Sequence, residues 1–178
     1  MDLLLKGKRI GFFVEIEYHD LELWYPKMRF EEEGAECPLI GTGSAKSYKG
    51  KIGVVAPVDM TAAQVNPCDF DAFVFTGGFA PIRLRVAPDV LAVTRAAYEQ
   101  GKVIATICFG GWMLASADIV RGKRVSCHEA LTVDLKNSGA IASDTIPHQV
   151  DGNIVTARYL RDMYGFTRSI IDLLTAKG

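Results

Sequence analysis

Five short runs of apolar, β-branched and aromatic residues recur along the chain: RIGFFVE, AECPLI, DAFVFTGG, KVIATI and NIVTAR. Longer segments of helical periodicity separate them. A strand buried on both faces needs an unbroken apolar run, and parallel neighbours need a crossover long enough to hold a helix. The alternation therefore predicts an α/β fold, with an open parallel sheet sandwiched by helices. At 178 residues, without a linker, repeat or low-complexity tract, the chain reads as a single domain over 1–178.

The runs assign strands at 9–15, 35–40, 71–78, 102–107 and 153–158. A further strand, KRVSC, is expected at 123–127. A helix is expected from His19 to Gly34, with His19 or Asp20 as its cap. Pro26 should bend that helix or split it. Further helices are expected from Asp89 to Gln100, from Trp112 through Val120, over 130–139 and over 165–178. KIGVVAP reads as a small accessory hairpin in a segment rich in Gly, Pro and Ser. The two prolines after Gly78 predict a loop, and so does IPHQV around His148.

Charge excludes some functions. Twenty basic and 21 acidic side chains are interspersed, for a net charge of −1. That balance supplies no long-range field to hold nucleic acid or an anionic membrane. The first 20 residues lack a basic start followed by an apolar core and a small-residue cleavage site. No run approaches the length of a membrane span, so a cytoplasmic protein is expected. Cys37, Cys68, Cys108 and Cys127 are scattered, without a CxxC pair or a histidine cluster at zinc spacing. Free thiols and no structural metal are the expectation.

Ligands of an open parallel sheet bind at the carboxyl ends of its strands. Two such ends, FTGGFAP and TICFGGW, carry paired glycines, and the second carries a cysteine. A nucleophile at a tight strand-to-helix turn is held outward, with the next N–H groups beside it and the positive end of a helix close by. That position is expected to lower the Cys108 pKa. The N–H groups of Phe109 and Gly78 are candidate oxyanion donors. Position alone is weak support, because a cysteine at the end of an apolar strand is more often core filler. Thr106 also stands where a nucleophile elbow usually has its first glycine.

Four segments carry a resemblance: FVEIEYHDLELWYP, DFDAFVFTGGFAP, GKVIATICFGGWMLASADIVRGKRVS and VDGNIVTAR. Their order and spacing resemble the ThiJ/PfpI (DJ-one) superfamily. The resemblance implies a flavodoxin-like, class I glutamine amidotransferase-like fold, a Cys108 nucleophile and no external cofactor. It makes Glu22, four positions before the helix-one proline, the carboxyl beside the cysteine. A carboxyl next to a thiolate is a like-charge pair, so Glu22 should hold its proton more tightly and donate a hydrogen bond to sulfur. The superfamily's peptidase branch has a histidine directly after the cysteine and a glutamate from the partner subunit after GG-x-A-P. Here these positions are Phe109 and Ile82, so peptidase chemistry is not expected. In the DJ-one branch the histidine follows a later strand, which makes His128 the third candidate. Cys127 should face away from His128, since adjacent strand residues point to opposite sides. Cys37 is expected in the core and Cys68 in an exposed turn. Arg158 matches an arginine of the superfamily, but the residues after it differ. Trp24, Tyr25 and Trp112 are candidates for core, pocket or dimer contacts.

The resemblance implies an enzyme acting on a small-molecule carbonyl substrate or its adducts, glyoxalase-like or deglycase-like. Cys108 would attack, with Glu22 and His128 moving protons. A thiol stress sensor uses the same cysteine chemistry. An inert member acting through partners would follow if Phe109 filled the pocket. A homodimer involving helix one is expected.

Overall fold

The structure, a computed structural model, describes residues 3–176. In chain order the elements are β1 (Ile10–Val14), α1 (Asp20–Glu32), β2 (Leu39–Gly41), β3 (Ser47–Lys49), β4 (Val55–Pro57), β5 (Met60–Thr61) and β6 (Ala72–Phe75). They continue with α2 (Ala80–Leu84), α3 (Pro88–Glu99), β7 (Val103–Ile107), α4 (Trp112–Ser116), β8 (Arg124–Ser126) and α5 (Thr132–Asn137). The chain closes with β9 (Ile141–Ser143), β10 (His148–Asp151), β11 (Ile154–Ala157) and α6 (Met163–Thr175).

Seven strands form the main sheet in the order β10-β11-β7-β6-β1-β2-β5. All neighbours are parallel except β10 and β11. The expected α/β sandwich is the observed fold. Every residue of β1, β6, β7 and β11 is buried, as their continuous apolar runs require. Helix α6 packs on β7 and β11 and meets α1, while α3 packs on β6 and β7 and meets α4. Phenylalanines fill much of the interior, and the rings of Phe13 and Phe75 stack with centroids 4.8 Å apart.

The chain leaves β1 for β2 and β5 on one side, then returns to place β6 and β7 on the other. Such a reversal opens a crevice at the carboxyl ends of the strands on either side. The residues after β1, β6 and β7 therefore converge there.

Several expectations need correction. Pro26 neither splits nor interrupts α1, which continues from Asp20 to Glu32. A proline there removes its own N–H bond and crowds the Glu22 carbonyl one turn earlier, and Pro26 is buried within the continuous helix. His19 occupies the cap position without a capping side-chain bond. Asp20 instead accepts the N–H groups of Ile52 and Val54, both at 3.0 Å. The expected loop after Gly78 contains α2, with Pro81 in its first turn, where its missing N–H costs nothing.

The helix after Cys108 begins as a tight 3-10 turn and ends at Ser116, well short of Val120. Asp118 takes a left-handed φ of 55°, and the Ile119 N–H bonds back to the Leu114 carbonyl at 3.1 Å. That closure ends the helix. β8 is present but pairs with β9 in a separate two-stranded sheet. α5 is confined to Thr132–Asn137. His148 lies in strand β10, opposite Ala157, rather than in a loop. Its ring packs where a side chain on Gly165 would be, 2.4 Å from an added Cβ. The accessory hairpin is β3 and β4, paired antiparallel. Lys177 and Gly178, the end of the expected closing helix, lie outside the described residues.

Candidate active site

Each of the three strand ends contributes one part of the site. After β7 comes Cys108, whose φ of 55° is an unusual conformation for a residue with a side chain. Strain of this kind persists only where the surroundings enforce it. Here the enforcement comes from below: a Cβ on Gly110 would sit 2.3 Å from the Phe75 carbonyl oxygen. Only glycine lets the turn pass so close to β6, and the tight turn holds the Cys108 side chain at the sheet edge.

After β1, the first turn of α1 carries Glu22 into the interior, where it is 1% exposed. Its Oε2 accepts the Gly77 N–H at 2.7 Å. After β6, Gly77 leaves room for both partners. An added Cβ there would lie 2.6 Å from Cys108 Cβ, 2.7 Å from Glu22 Oε2 and 2.8 Å from Cys108 Sγ. Gly78 has a φ of 73°, and its bridge to Tyr18 ties the end of β6 to the loop before α1.

Cys108 Sγ and Glu22 Oε2 thus crowd the same space over Gly77, and the N–H groups of Phe109 and Gly78 favour the thiolate while the Glu22 charge opposes it. Burial raises the Glu22 pKa to about 7 against the opposing pull of the Gly77 N–H. The expected direction is thus present, but its cause is burial and not like charge, since the contact with Cys108 acts the other way. The expected depression of the Cys108 pKa is overturned. Burial, followed by the Glu22 charge, pushes the thiol up to about 12, while the Phe109 and Gly78 N–H groups act in the expected sense but lose. The 3-10 turn and five-residue α4 that follow make a short helix, with little field to offset burial. Glu22 is thus the group that gives up its proton near neutrality, and the thiol follows only in alkali.

These groups open onto a cavity of about 320 Å³. His128 and Phe109 form one wall, with rings stacked at 4.8 Å, and Phe109 stacks in turn on Trp112 at 5.2 Å. Phe109 is thereby held in the wall and leaves the cavity open. His128 Nδ1 accepts the Ala130 N–H at 3.2 Å. Neutral His128 therefore carries its proton on Nε2 and acts as a donor. Among the described residues no hydrogen bond joins it to Cys108 or Glu22.

Lys51 is the lining residue that the sequence does not mark, His19 is expected only as a cap, and Tyr159 and Leu160 open the YLRD segment that departs from the superfamily after Arg158. Lys51 comes from the turn of the accessory hairpin, far from the strand ends in sequence, and nothing in GKIGVVAP signals its destination. Tyr159 meets His128 edge-on at 5.1 Å. Larger surface grooves around Glu15, Thr42, Ser44 and Arg83 contain no cysteine or histidine.

The remaining candidates lie elsewhere. Cys127 is buried, bonds to Thr132 and is not among the residues lining the cavity, Cys37 is buried, and Cys68 is exposed. Arg158 pairs with Asp162 at 3.0 Å and holds the Asp144 carbonyl at 2.8 Å, so it braces the loops on this side. Trp24 donates to Tyr18 Oη, Trp112 donates to Asp134, and Ile82 is half exposed on α2. Among the described residues no cluster of three metal-ligating side chains occurs, and no helix is long and apolar enough to cross a membrane.

The sequence profile described as the DJ-1/PfpI family matches residues 8–173. A Pyrococcus furiosus protein named Deglycase PfpI is 36% identical over 168 residues, which are 93% of this chain and 99% of that protein. Protein/nucleic acid deglycase 2 of Escherichia coli is 32% identical over 171 residues, 96% of this chain and 99% of its own. A solved two-domain protein from Anabaena variabilis, with DJ-1/ThiJ/PfpI-like and ferritin-like domains, superposes with a TM-score of 0.91 at 33% identity. The alignment covers 94% of this chain, which spans about half (48%) of that protein. With a matching profile over most of its length and relatives that align end to end, the chain belongs to the DJ-1/PfpI family.

Proposed function

We propose that the protein is a cysteine-dependent enzyme of the deglycase or glyoxalase kind, acting on small reactive carbonyls or their adducts with amines and thiols. One observation carries this reading: Cys108, in a strained turn, stands beside a buried carboxyl with a pKa near 7 at the edge of a small open cavity. A carboxyl titrating at that pH can both take and return a proton.

In this reading Glu22 takes the thiol proton as Cys108 Sγ bonds to the aldehyde carbon of a substrate such as methylglyoxal. The N–H groups of Phe109 and Gly78 hold the charge, first on sulfur and then on the substrate oxygen. Glu22 gives that proton to the substrate oxygen, and then, again as the carboxylate, moves a proton from the former aldehyde carbon to its neighbour, which leaves a hydroxyacyl thioester on sulfur. Water releases the hydroxy acid and restores the thiol, so methylglyoxal and water give lactate. From an adduct, the amine or thiol departs with a proton. His128, as a donor, orients the substrate oxygen.

The positions of the peptidase pair are Phe109 and Ile82, which can neither accept a proton nor orient a base. The thiol-sensor reading is weaker, because a half-buried thiol with a raised pKa supplies little thiolate to peroxide. We place the protein in the cytoplasm, where four free thiols stay reduced, and we assign it a homodimer through α1.

Lactate formation from methylglyoxal tests the reading. Wild type should turn over, and Cys108→Ser should fall by at least about a thousandfold. Turnover that survives in Cys108→Ser sinks it.

A further inference from the structure

Lys51 is the only lysine or arginine among the residues lining the Cys108 cavity. It reaches that position on a turn that is fastened from several sides. The buried Asp20 carboxylate, 2% exposed, receives the N–H groups of Ile52 and Val54. The Lys51 N–H bonds to the Tyr18 carbonyl at 3.0 Å, and Tyr18 Oη donates to the Val54 carbonyl at 2.7 Å. Gly50 admits this clamp, because a Cβ there would lie 2.3 Å from Asp20 Oδ1.

The side chain is aimed as well as the backbone. Lys51 Nζ stands 4.9 Å from the centre of the Phe79 ring, next to Gly78. It makes no salt bridge among the described residues, although its charge reaches Glu22, Cys108 and His19. His19, on the same wall, has its pKa lowered, first by burial and then by Lys51, so it stays neutral near pH 7. The mouth therefore holds one pre-positioned cation with no protein anion bound to it. An ammonium held in this way favours an anionic group on the ligand. The cavity has room for about ten non-hydrogen atoms at the volume of a water each. That suffices for a three-carbon dicarbonyl joined to a small amino- or thio-acid.

We propose that Lys51 makes the cavity mouth a carboxylate subsite, so that the preferred substrates are carbonyl adducts whose amine or thiol half bears a carboxylate, as amino acids do. The proposal rests on the enzymatic reading above for its substrates, but not for the subsite itself.

The subsite can be measured without turnover. Cys108 is alkylated with iodoacetate and with iodoacetamide, which differ in one charge, and peptide mass spectrometry reads each rate with exposed Cys68 as the internal reference. Any effect of a substitution on thiol reactivity cancels in the ratio. Lys51→Met should lower the iodoacetate preference at Cys108 about two- to fivefold, the worth of one solvent-screened charge contact, and Lys51→Arg should retain it. A ratio unchanged in Lys51→Met overturns the subsite.

Turnover is then compared for methylglyoxal hemithioacetals of mercaptoacetate and mercaptoacetamide. Wild type should favour the acid about two- to fivefold in kcat/KM, and Lys51→Met should lose the preference. Equal rates for both adducts in wild type overturn the substrate preference while leaving the enzymatic reading intact. Failure to process either adduct, with the alkylation preference present, overturns the enzymatic reading while the anion subsite stands.

Discussion

Glu22 and Cys108 show how far residue identity alone can be taken. The cysteine at a strand end and a carboxyl four positions before a helix proline were legible, and the fold brings them together. The direction of the Glu22 shift was legible too, but its cause and the state of the thiol were not, because both depend on burial, which a linear sequence does not display. The helix start was expected to govern the thiol, yet the short turn after Cys108 is outweighed by desolvation and by Glu22. The same burial has a cost in stability. Glu22 titrates near 7 in the fold and near 4.5 when solvated, so folding disfavours its charged form. The penalty is absent well below pH 4.5, grows as pH rises from there to 7, and is complete above 7. Glu22→Gln keeps an acceptor for the Gly77 N–H and removes the charge. Its stability relative to wild type should improve by roughly 2 to 3 kcal/mol between pH 4 and pH 8. Denaturant unfolding at the two pH values checks this, and a difference that stays flat with pH contradicts it.

Elements were legible in proportion to their periodicity. β1, β6, β7 and β11 were each marked by an apolar run, because strands covered on both faces tolerate little else. Two-residue β5 and three-residue β9 had no such mark. The helix after Cys108 was overextended, since Ile119 and Val120 are as apolar as a helix face but pack after a left-handed Asp118. The accessory hairpin was anticipated as a hairpin, but not as a wall of the site. Its position depends on Asp20, whose two backbone contacts span more than 30 residues of sequence. Asp20→Ala should destabilise the protein by about 2 kcal/mol by stranding two N–H groups. It should also speed hydrogen exchange at Ile52 and Val54 more than at β6 or β7. Equal protection of that turn in the variant and wild type contradicts the clamp.

At the scale of the whole molecule, the α/β class followed from the alternation of runs, whereas strand order did not. Local sequence cannot show that the chain reverses direction across the sheet after β5, and that reversal is what places three strand ends around one cavity. The outer surface carries a second feature of this scale. Leu21, Tyr25 and Met28 are 48%, 46% and 60% exposed, and their spacing puts them on one stripe of α1. This stripe supports the proposed homodimer. Sedimentation should find a dimer in wild type and a monomer in the double variant Tyr25→Glu, Met28→Glu. A wild-type monomer, or a dimer indifferent to both charges, contradicts that assignment.

The central claim is that Cys108 and Glu22 form one proton-sharing pair at a reactive centre. The rate of Cys108 alkylation by iodoacetamide, followed from pH 5 to pH 10 in wild type and Glu22→Gln, tests it most directly. In wild type the rate should inflect near pH 7, where Glu22 gives up its proton and becomes able to take the thiol proton as the sulfur attacks. Glu22→Gln should lose that inflection. A wild-type profile that follows a free thiol, with a midpoint of about 8.5, and is unchanged by Glu22→Gln would contradict the account.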